Sequence, residues 1–207
     1  MLNGIFITFE GPEGSGKTSV IKGVTEQLLK ENYEILTTRE PGGIRISEKI
    51  RDIILDVEHK EMTARTEALL YAASRSQHYE EKIKPALEAG KIILCDRFID
   101  SSLAYQGYAR EIGVEEVFEI NRFGIGNNLP VLTIFIDVPP QVGLNRVFSN
   151  TRKVDRLDLE SLAFHEKVYE GYMQLKDRFP KRIKFIDGQN PLEKVIEDTL
   201  KVIKEIL

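Results

Sequence analysis

The residues with the most chemistry to offer stand near the start of the chain, in the run Gly11-Pro12-Glu13-Gly14-Ser15-Gly16-Lys17-Thr18. The spacing G-x-x-x-x-G-K-T is that of a phosphate-binding loop. Its glycines let the backbone curl until several N–H groups converge on one anion, and the helix N-terminus that follows adds partial positive charge. Lys17 adds a mobile full charge for β- and γ-phosphates, and Thr18 a hydroxyl suited to Mg²⁺. The candidate triphosphate-binding residues are therefore Gly11, Pro12, Glu13, Gly14, Ser15, Gly16, Lys17, Thr18 and Ser19. This octapeptide implies a site for a nucleoside triphosphate.

Other chemistry-bearing residues stand at ends of apolar runs. Ile92-Ile93-Leu94-Cys95 finishes in Asp96-Arg97. An aspartate at the end of a buried strand beside a phosphate loop is placed to hold Mg²⁺ or its water shell, and the arginine after it to meet a phosphate. Arg39 and Glu40 come before Pro41-Gly42-Gly43, a turn that can continue neither strand nor helix. Arg51 lies on the polar side of a helical stretch from Ile46 to Leu55. Tyr71 and Arg75, four residues apart on one helix face, fit either core plus surface or a platform and fork for a planar base. Ser149 to Arg156 is basic and poor in apolar residues, which suits either a solvated linker or a lid over transferring phosphates.

These groups need a scaffold, and the apolar patterning supplies one. Buried strands are expected at about 5–9, 33–38, 91–97, 132–138 and 183–187, separated by helices at about 17–31, 46–55, 66–87 (with Thr66 as N-cap), 114–123, 141–148, 159–179 and 191–206. Strands alternating with helices give an α/β fold with a five-stranded parallel sheet and right-handed crossovers. In such sheets ligands gather outside the carboxyl ends of the strands, which is where Arg39, Asp96 and the glycine loop fall.

Composition narrows the field. A chain of 207 residues with 42% hydrophobic residues can bury a full core as one domain, 1–207. The net charge of −4 argues against nucleic acid as a partner, so basic residues that handle phosphate must be concentrated locally. No apolar run is long enough for a membrane span, no signal peptide opens the chain, and the single cysteine, Cys95, suits a reducing compartment; a cytoplasmic protein is expected. A guanine-nucleotide switch would carry Asn-Lys-x-Asp, which is absent, and a motor would need room for a track- or DNA-binding module.

The sequence resembles the bacterial thymidylate kinases. The resemblance rests on Phe9–Thr18, Thr38-Arg39-Glu40-Pro41-Gly42-Gly43, Ala72-Ala73-Ser74-Arg75, Asp96-Arg97-Phe98 and Ser101-Ser102-Leu103-Ala104-Tyr105-Gln106-Gly107, five motifs in register from about residue 4 to the C-terminus. It implies a P-loop NTPase-type three-layer fold with a short lid at about 146–157. It also implies a homodimer that phosphorylates dTMP to dTDP with ATP and Mg²⁺ in dTTP synthesis. On that resemblance Lys17, Asp96, Arg97, Arg152 and Arg156 are the catalytic candidates, and Thr18 and Asp96 the metal ligands. Glu13 would grip the sugar 3′-hydroxyl, Arg39, Arg51 and Arg97 would face the monophosphate, and Tyr71 would stack on thymine. Arg75, Ser102 and Gln106 would meet its edge, and Tyr105 would crowd the ribose 2′ position. Gly14 stands where some relatives have a catalytic arginine, so the lid arginines would supply that charge. Two departures, Tyr71 for the more common Phe and Phe98 for Tyr or His, bear on monophosphate affinity rather than on the chemistry.

A monophosphate acceptor is already ionised and needs arginines, whereas a nucleoside acceptor needs a general base. The four arginines Arg39, Arg51, Arg75 and Arg97 favour the monophosphate over a deoxynucleoside kinase or a non-catalytic nucleotide-binding module.

Overall fold

A computed structural model describes residues 4–149 and 154–207. Arg152, the first lid arginine, lies outside the described residues, as do Ser149's neighbours Asn150, Thr151 and Lys153. Five parallel strands form one sheet in the order β2-β3-β1-β4-β5: β1 (Ile5–Glu10), β2 (Ile35–Arg39), β3 (Ile92–Asp96), β4 (Leu132–Asp137) and β5 (Ile183–Asp187). The strands continue as helices α1 (Lys17–Lys30), α2 (Arg45–Leu55), α3 (Ala64–His78), α4 (Lys84–Glu88), α5 (Ile99–Ser102), α6 (Val114–Ile125), α7 (Pro140–Phe148), α8 (Leu162–Arg178) and α9 (Leu192–Lys204).

The period-2 alternation of the central strands divides the core in two. Ile7 and Phe9 of β1, Leu94 of β3 and Ile134 and Ile136 of β4 pack with Val20, Val24 and Leu28 of α1 and Val195 and Ile203 of α9. Phe6, Ile93, Cys95 and Phe135 point the other way, onto Leu103, Val168, Tyr172 and the helices that carry them. Both faces of the sheet are thus covered, as an all-parallel sheet requires. Each fully buried Ile or Phe contributes about 1.5–3 kcal/mol by leaving water.

The second face is not uniformly apolar. Thr8 hydrogen-bonds Thr133 at 2.8 Å, and Glu10, at the end of β1, is wholly buried. Polarity increases along this face toward the carboxyl ends, where β1 and β3 stand side by side with Phe9 opposite Asp96.

The helices differ from the sequence reading in three places. The helix expected from Thr66 starts at Ala64, because Thr63 is the cap, accepting from the Thr66 amide at 3.3 Å. It then passes through a π-helical turn at Tyr79–Ile83 before α4. The helix expected from about Leu159 starts at Leu162, capped by Ser161. The polar and aromatic stretch after Arg97, for which no element was expected, is helical throughout: α5 followed by a π-helical segment at Leu103–Ala109. π-turns insert a residue and re-aim the side chains after it. Here those side chains include Tyr105 and Gln106.

Candidate active site

At the end of β1 the chain turns through Gly11 into a loop whose last residue, Gly16, caps α1 in the left-handed conformation (φ 92°). A side chain there would be strained, and none is needed, since the function of the turn is to aim amides. Lys17 folds back over this loop: its ammonium donates to the carbonyls of Gly11 (3.1 Å) and Pro12 (2.9 Å) and to Ser15 Oγ (3.2 Å). Burial, and then the nearby Arg97 guanidinium, lower its pKa to about 8. Its hydrogen bonds go to neutral acceptors of its own loop, while the more distant Glu13, Asp96 and Glu10 carboxylates favour its charge, which is available to an incoming anion.

Thr18 donates to Asp96 Oδ2 at 2.8 Å. A hydroxyl and a carboxylate side by side are hard oxygen donors that suit Mg²⁺, which keeps most of its shell as water and phosphate. Among the described residues no cluster of three or more Asp, Glu, His or Cys could cage a metal alone. The pair fits a cation shared with a nucleotide.

Arg97 follows β3 with φ 67°, the left-handed region that a non-glycine residue adopts at a cost and usually at a working site. Its guanidinium donates to Glu13 Oε1 (2.6 Å), Ser101 Oγ (3.0 Å), Tyr172 OH (3.3 Å) and Tyr105 OH (3.4 Å). Burial alone would disfavour its charge, but Glu13 and the surrounding phenols hold its pKa well above the ordinary value. Tyr105 OH also donates to Glu13 at 3.0 Å. Beneath this cluster Glu10 accepts from the amides of Phe98 (2.8 Å) and Ser101 (3.2 Å) and from the hydroxyls of Ser101 (2.6 Å) and Tyr172 (2.8 Å). Burial, with Asp100 nearby, raises its pKa, and those donors with Arg97 oppose the rise.

Arg39 and Arg51 converge on a single acceptor, the Pro41 carbonyl, at 2.8 and 3.0 Å. Arg39 also meets Glu48 at 2.8 Å. Burial, then the like charge of Arg39, lower the pKa of Arg51. Two guanidiniums sharing one neutral oxygen make a site that an anion would relieve.

These groups line one cleft of about 530 Å³. Of the residues expected from the sequence, Glu13 through Ser19, Arg39, Arg51, Tyr71, Asp96, Arg97, Ser102, Tyr105 and Gln106 all face it. Gly11 and Pro12, also expected, do not line it, and their carbonyls accept from Lys17 instead. Arg75 and Arg156 do not line it either. Arg75 is 2% exposed and lies behind the wall, donating to Glu40 (2.7 Å), Ser102 Oγ (2.9 Å), the Phe98 carbonyl (2.9 Å) and Asn121. Arg156 bonds the Glu67 carboxylate (2.5 Å) and the Ile54 carbonyl (2.9 Å).

Several contributors were not singled out as site residues in the sequence reading, although three of them fall in the expected lid segment. Arg146, Asp155 and Leu157 from the lid segment line the cleft, Arg146 facing the Gly14 carbonyl at 3.5 Å. Glu67 and Tyr172 sit on helices whose spacing marks them as ordinary positions. Only their burial, 1% and 2% exposed, sets them apart. The loop and α7 also touch directly: a Cβ at Gly14 would run into the Gly143 carbonyl, and a Cβ at Gly143 into the Glu13 carbonyl.

Comparison with known proteins agrees with this geometry. The family model for thymidylate kinase matches residues 9–199. A thymidylate kinase of Oceanobacillus iheyensis is 57% identical over 99% of this chain and 91% of its own length, and one of Clostridium novyi is 55% identical over 99% and 100%. The crystal structure of the Ehrlichia chaffeensis thymidylate kinase superposes with a TM-score of 0.79 at 30% identity, covering 97% of this chain and 99% of that one. A family model that spans residues 9–199, relatives more than half identical nearly end to end and a structural match over 97% of the chain show that the protein belongs to the thymidylate kinase family.

Proposed function

We propose that the protein transfers the γ-phosphoryl group of ATP to dTMP, giving dTDP and ADP reversibly, with Mg²⁺. The observation that carries this reading is one cleft lined at once by the phosphate loop and by Arg39, Arg51 and Arg97 beside Tyr71, Ser102 and Gln106. A cleft with two anion sites and one base-sized wall suits a triphosphate donor and a monophosphate acceptor.

In this reading an oxygen of the dTMP phosphate attacks the γ-phosphorus as the bond to the ADP oxygen breaks. The acceptor is already ionised, so no general base is required, and the protein's work is positioning and charge. Lys17 leaves the Gly11 and Pro12 carbonyls for the β- and γ-phosphates. Arg39 and Arg51 hold the acceptor phosphate, and Arg97, braced by Glu13, bridges toward it. Glu13 takes the sugar 3′-hydroxyl, and Tyr105, fixed on Glu13, fills the space of a 2′-hydroxyl. The Thr18 hydroxyl and the Asp96 carboxylate would hold Mg²⁺, which would neutralise phosphate charge when bound. Arg146, Val147 and Leu157, which line the cleft, help to exclude water from it. Arg156, held on Glu67, anchors the return of the lid segment, which leaves Arg152 and Arg146 to bring charge onto the transferring group.

The homodimer is part of the same proposal. α3 and α6 pack together, and Leu69 (57% exposed) and Phe123 (95% exposed) offer apolar surface for a second copy. A cytoplasmic location accords with the buried free thiol of Cys95. Among the described residues no helix is long and apolar enough to cross a membrane.

The test is ADP release with ATP and Mg²⁺ against dTMP, dUMP, UMP and thymidine. Strong turnover of dTMP with little of UMP or thymidine is expected. Turnover of thymidine in preference to dTMP would overturn the monophosphate site, and equal use of UMP would remove the role of Tyr105.

A further inference from the structure

Arg97 stands between two carboxylates. Glu13, on the cleft wall, meets its Nη2 at 2.6 Å. Glu10, wholly buried at the end of β1 and absent from the cleft wall, comes no closer than 4.0 Å to Nη1. Two hydroxyls fill that gap. Arg97 Nη1 donates to Ser101 Oγ (3.0 Å) and Tyr172 OH (3.3 Å), and the same hydroxyls donate to Glu10 Oε2 at 2.6 and 2.8 Å.

Each hydroxyl has one proton, and where it points decides what the guanidinium meets. An ionised carboxylate only accepts, so it draws both protons to Oε2 and leaves both oxygens with lone pairs for Nη1. Glu10 has the surroundings of a carboxylate: the amides of Phe98 (2.8 Å) and Ser101 (3.2 Å) join the two hydroxyls in donating to it. Asp100, whose charge opposes that ionisation, spends it on Arg182 at 2.6 and 2.7 Å. The Phe98 amide also belongs to the turn that keeps Arg97 in left-handed backbone, φ 67°. Glu10 therefore grips Arg97 twice, at the backbone that follows it and through the hydroxyls at its guanidinium.

We propose that Glu10 is a positioning residue for the acceptor phosphate: through Ser101 and Tyr172 it holds the Arg97 guanidinium toward the cleft independently of Glu13. This rests on the monophosphate-kinase reading and deepens it. In that reading Glu13 also serves the sugar, so its hold on Arg97 is shared once the acceptor is bound. The brace from behind is not shared with any ligand. Because it ends in neutral hydroxyls, it orients Nη1 without setting a carboxylate against the guanidinium in competition with phosphate.

Glu10→Gln reverses the brace at constant size. Its amide oxygen must serve the Phe98 and Ser101 amides, which leaves an NH₂ facing the two hydroxyls. They must then accept from it and turn their protons on Arg97, donor against donor. The pair dTMP and thymidine isolates the consequence, because the two differ only by the phosphate. Calorimetric binding without ATP should show wild type preferring dTMP strongly. In Glu10→Gln, dTMP affinity should fall about tenfold or more while thymidine affinity stays within about threefold. A cleft that had merely loosened would lose both ligands alike. In turnover the dTMP KM should rise more than kcat falls. Tyr172→Phe keeps the ring, removes one of the two bridges and should lower the preference for dTMP about threefold. Thr133→Val is the control for disturbing the same polar face. Its hydroxyl bonds Asp100 (3.0 Å) and Thr8 (2.8 Å), not Glu10 or Arg97, so the preference should not change. A preference unmoved in Glu10→Gln, or lost equally in Thr133→Val, overturns the proposal. If Glu10→Gln does not fold by circular dichroism, Tyr172→Phe decides, an unchanged preference counting against. A wild type that binds thymidine as tightly as dTMP would sink the monophosphate site and this role together. A wild-type preference that survives both Glu10→Gln and Tyr172→Phe would sink this role alone.

Discussion

The two ends of the cleft hold their charges in opposite ways. At the phosphate loop, Lys17 rests on carbonyls and a hydroxyl of its own loop, with a pKa lowered to about 8, so its charge is poorly compensated and ready to move. Behind the base wall, Arg75 and Glu67 are fully paired and aimed away from the ligand. The Glu40 carboxylate that holds Arg75 also accepts from His78 Nδ1 at 2.8 Å, and His78 Nε2 meets Thr38 at 2.7 Å, so the anchoring runs on to β2. The loop spends folding stability on a charge that the ligand will use. The base wall uses charges to hold neutral groups still. On the proposed function, one end does electrostatic work and the other recognition.

The sharpest way to break this contrast is to remove a charge from each end. Arg75→Met should cost about 3–5 kcal/mol of stability, because it leaves the buried Glu40 carboxylate without its cation. A denaturant midpoint near that of wild type would show that the base wall is not held as described. Lys17→Met should do the reverse: kcat should fall about 10²- to 10³-fold with little change in the unfolding midpoint. A Lys17→Met variant that unfolds as readily as Arg75→Met would remove the distinction between the two ends.

A smaller effect sharpens the loop's side. Lys17 has a folded pKa of about 8 against an ordinary value of 10.5. Between those values the unfolded chain holds a proton that the native one has released, so this group alone makes stability rise with pH in that window. Nucleotide binding runs the other way, since the anion needs the charge. As pH climbs through 8, ATP affinity should fall, at most about tenfold per pH unit, with uptake of a proton on binding. Titration calorimetry in buffers of different ionisation enthalpy measures that uptake. Lys17→Met should abolish it, and its persistence there would move the assignment to another group.

The same contrast explains what could be read from the sequence. The loop is a local motif: glycine spacing, the lysine and the strand before it are contiguous, and the five strands followed from apolar runs of the expected length. Asp96 and Arg97 were legible because they terminate such a run. The wall was only half legible. Tyr71, Ser102, Tyr105 and Gln106 were identified through a resemblance, and all of them line the cleft. What holds them was not visible, because Glu67, Glu40 and Tyr172 are charged or polar residues on ordinary helical or turn spacing. Their importance arises from burial and from partners 35 to 162 positions away in sequence. Arg75 was placed at the base edge through the resemblance, since its type and spacing left a surface position equally open, and its packing between α3 and α6 turns it inward. The helical form of residues 103–109 was missed because a π-turn follows neither the 3.6 nor the 2.0 period.

The contact between Gly14 and Gly143 bears on how this family can vary. Backbone meets backbone there with no room for even a methyl group on either side. An arginine introduced into the loop at position 14 would have to push away α7, which brings Arg146 to the cleft wall. A loop-borne catalytic arginine and this seating of α7 are therefore alternatives that single substitutions cannot connect through a well-packed intermediate. In this chain the seating of α7 against the loop therefore bars a side chain at position 14, whatever the chemistry would tolerate.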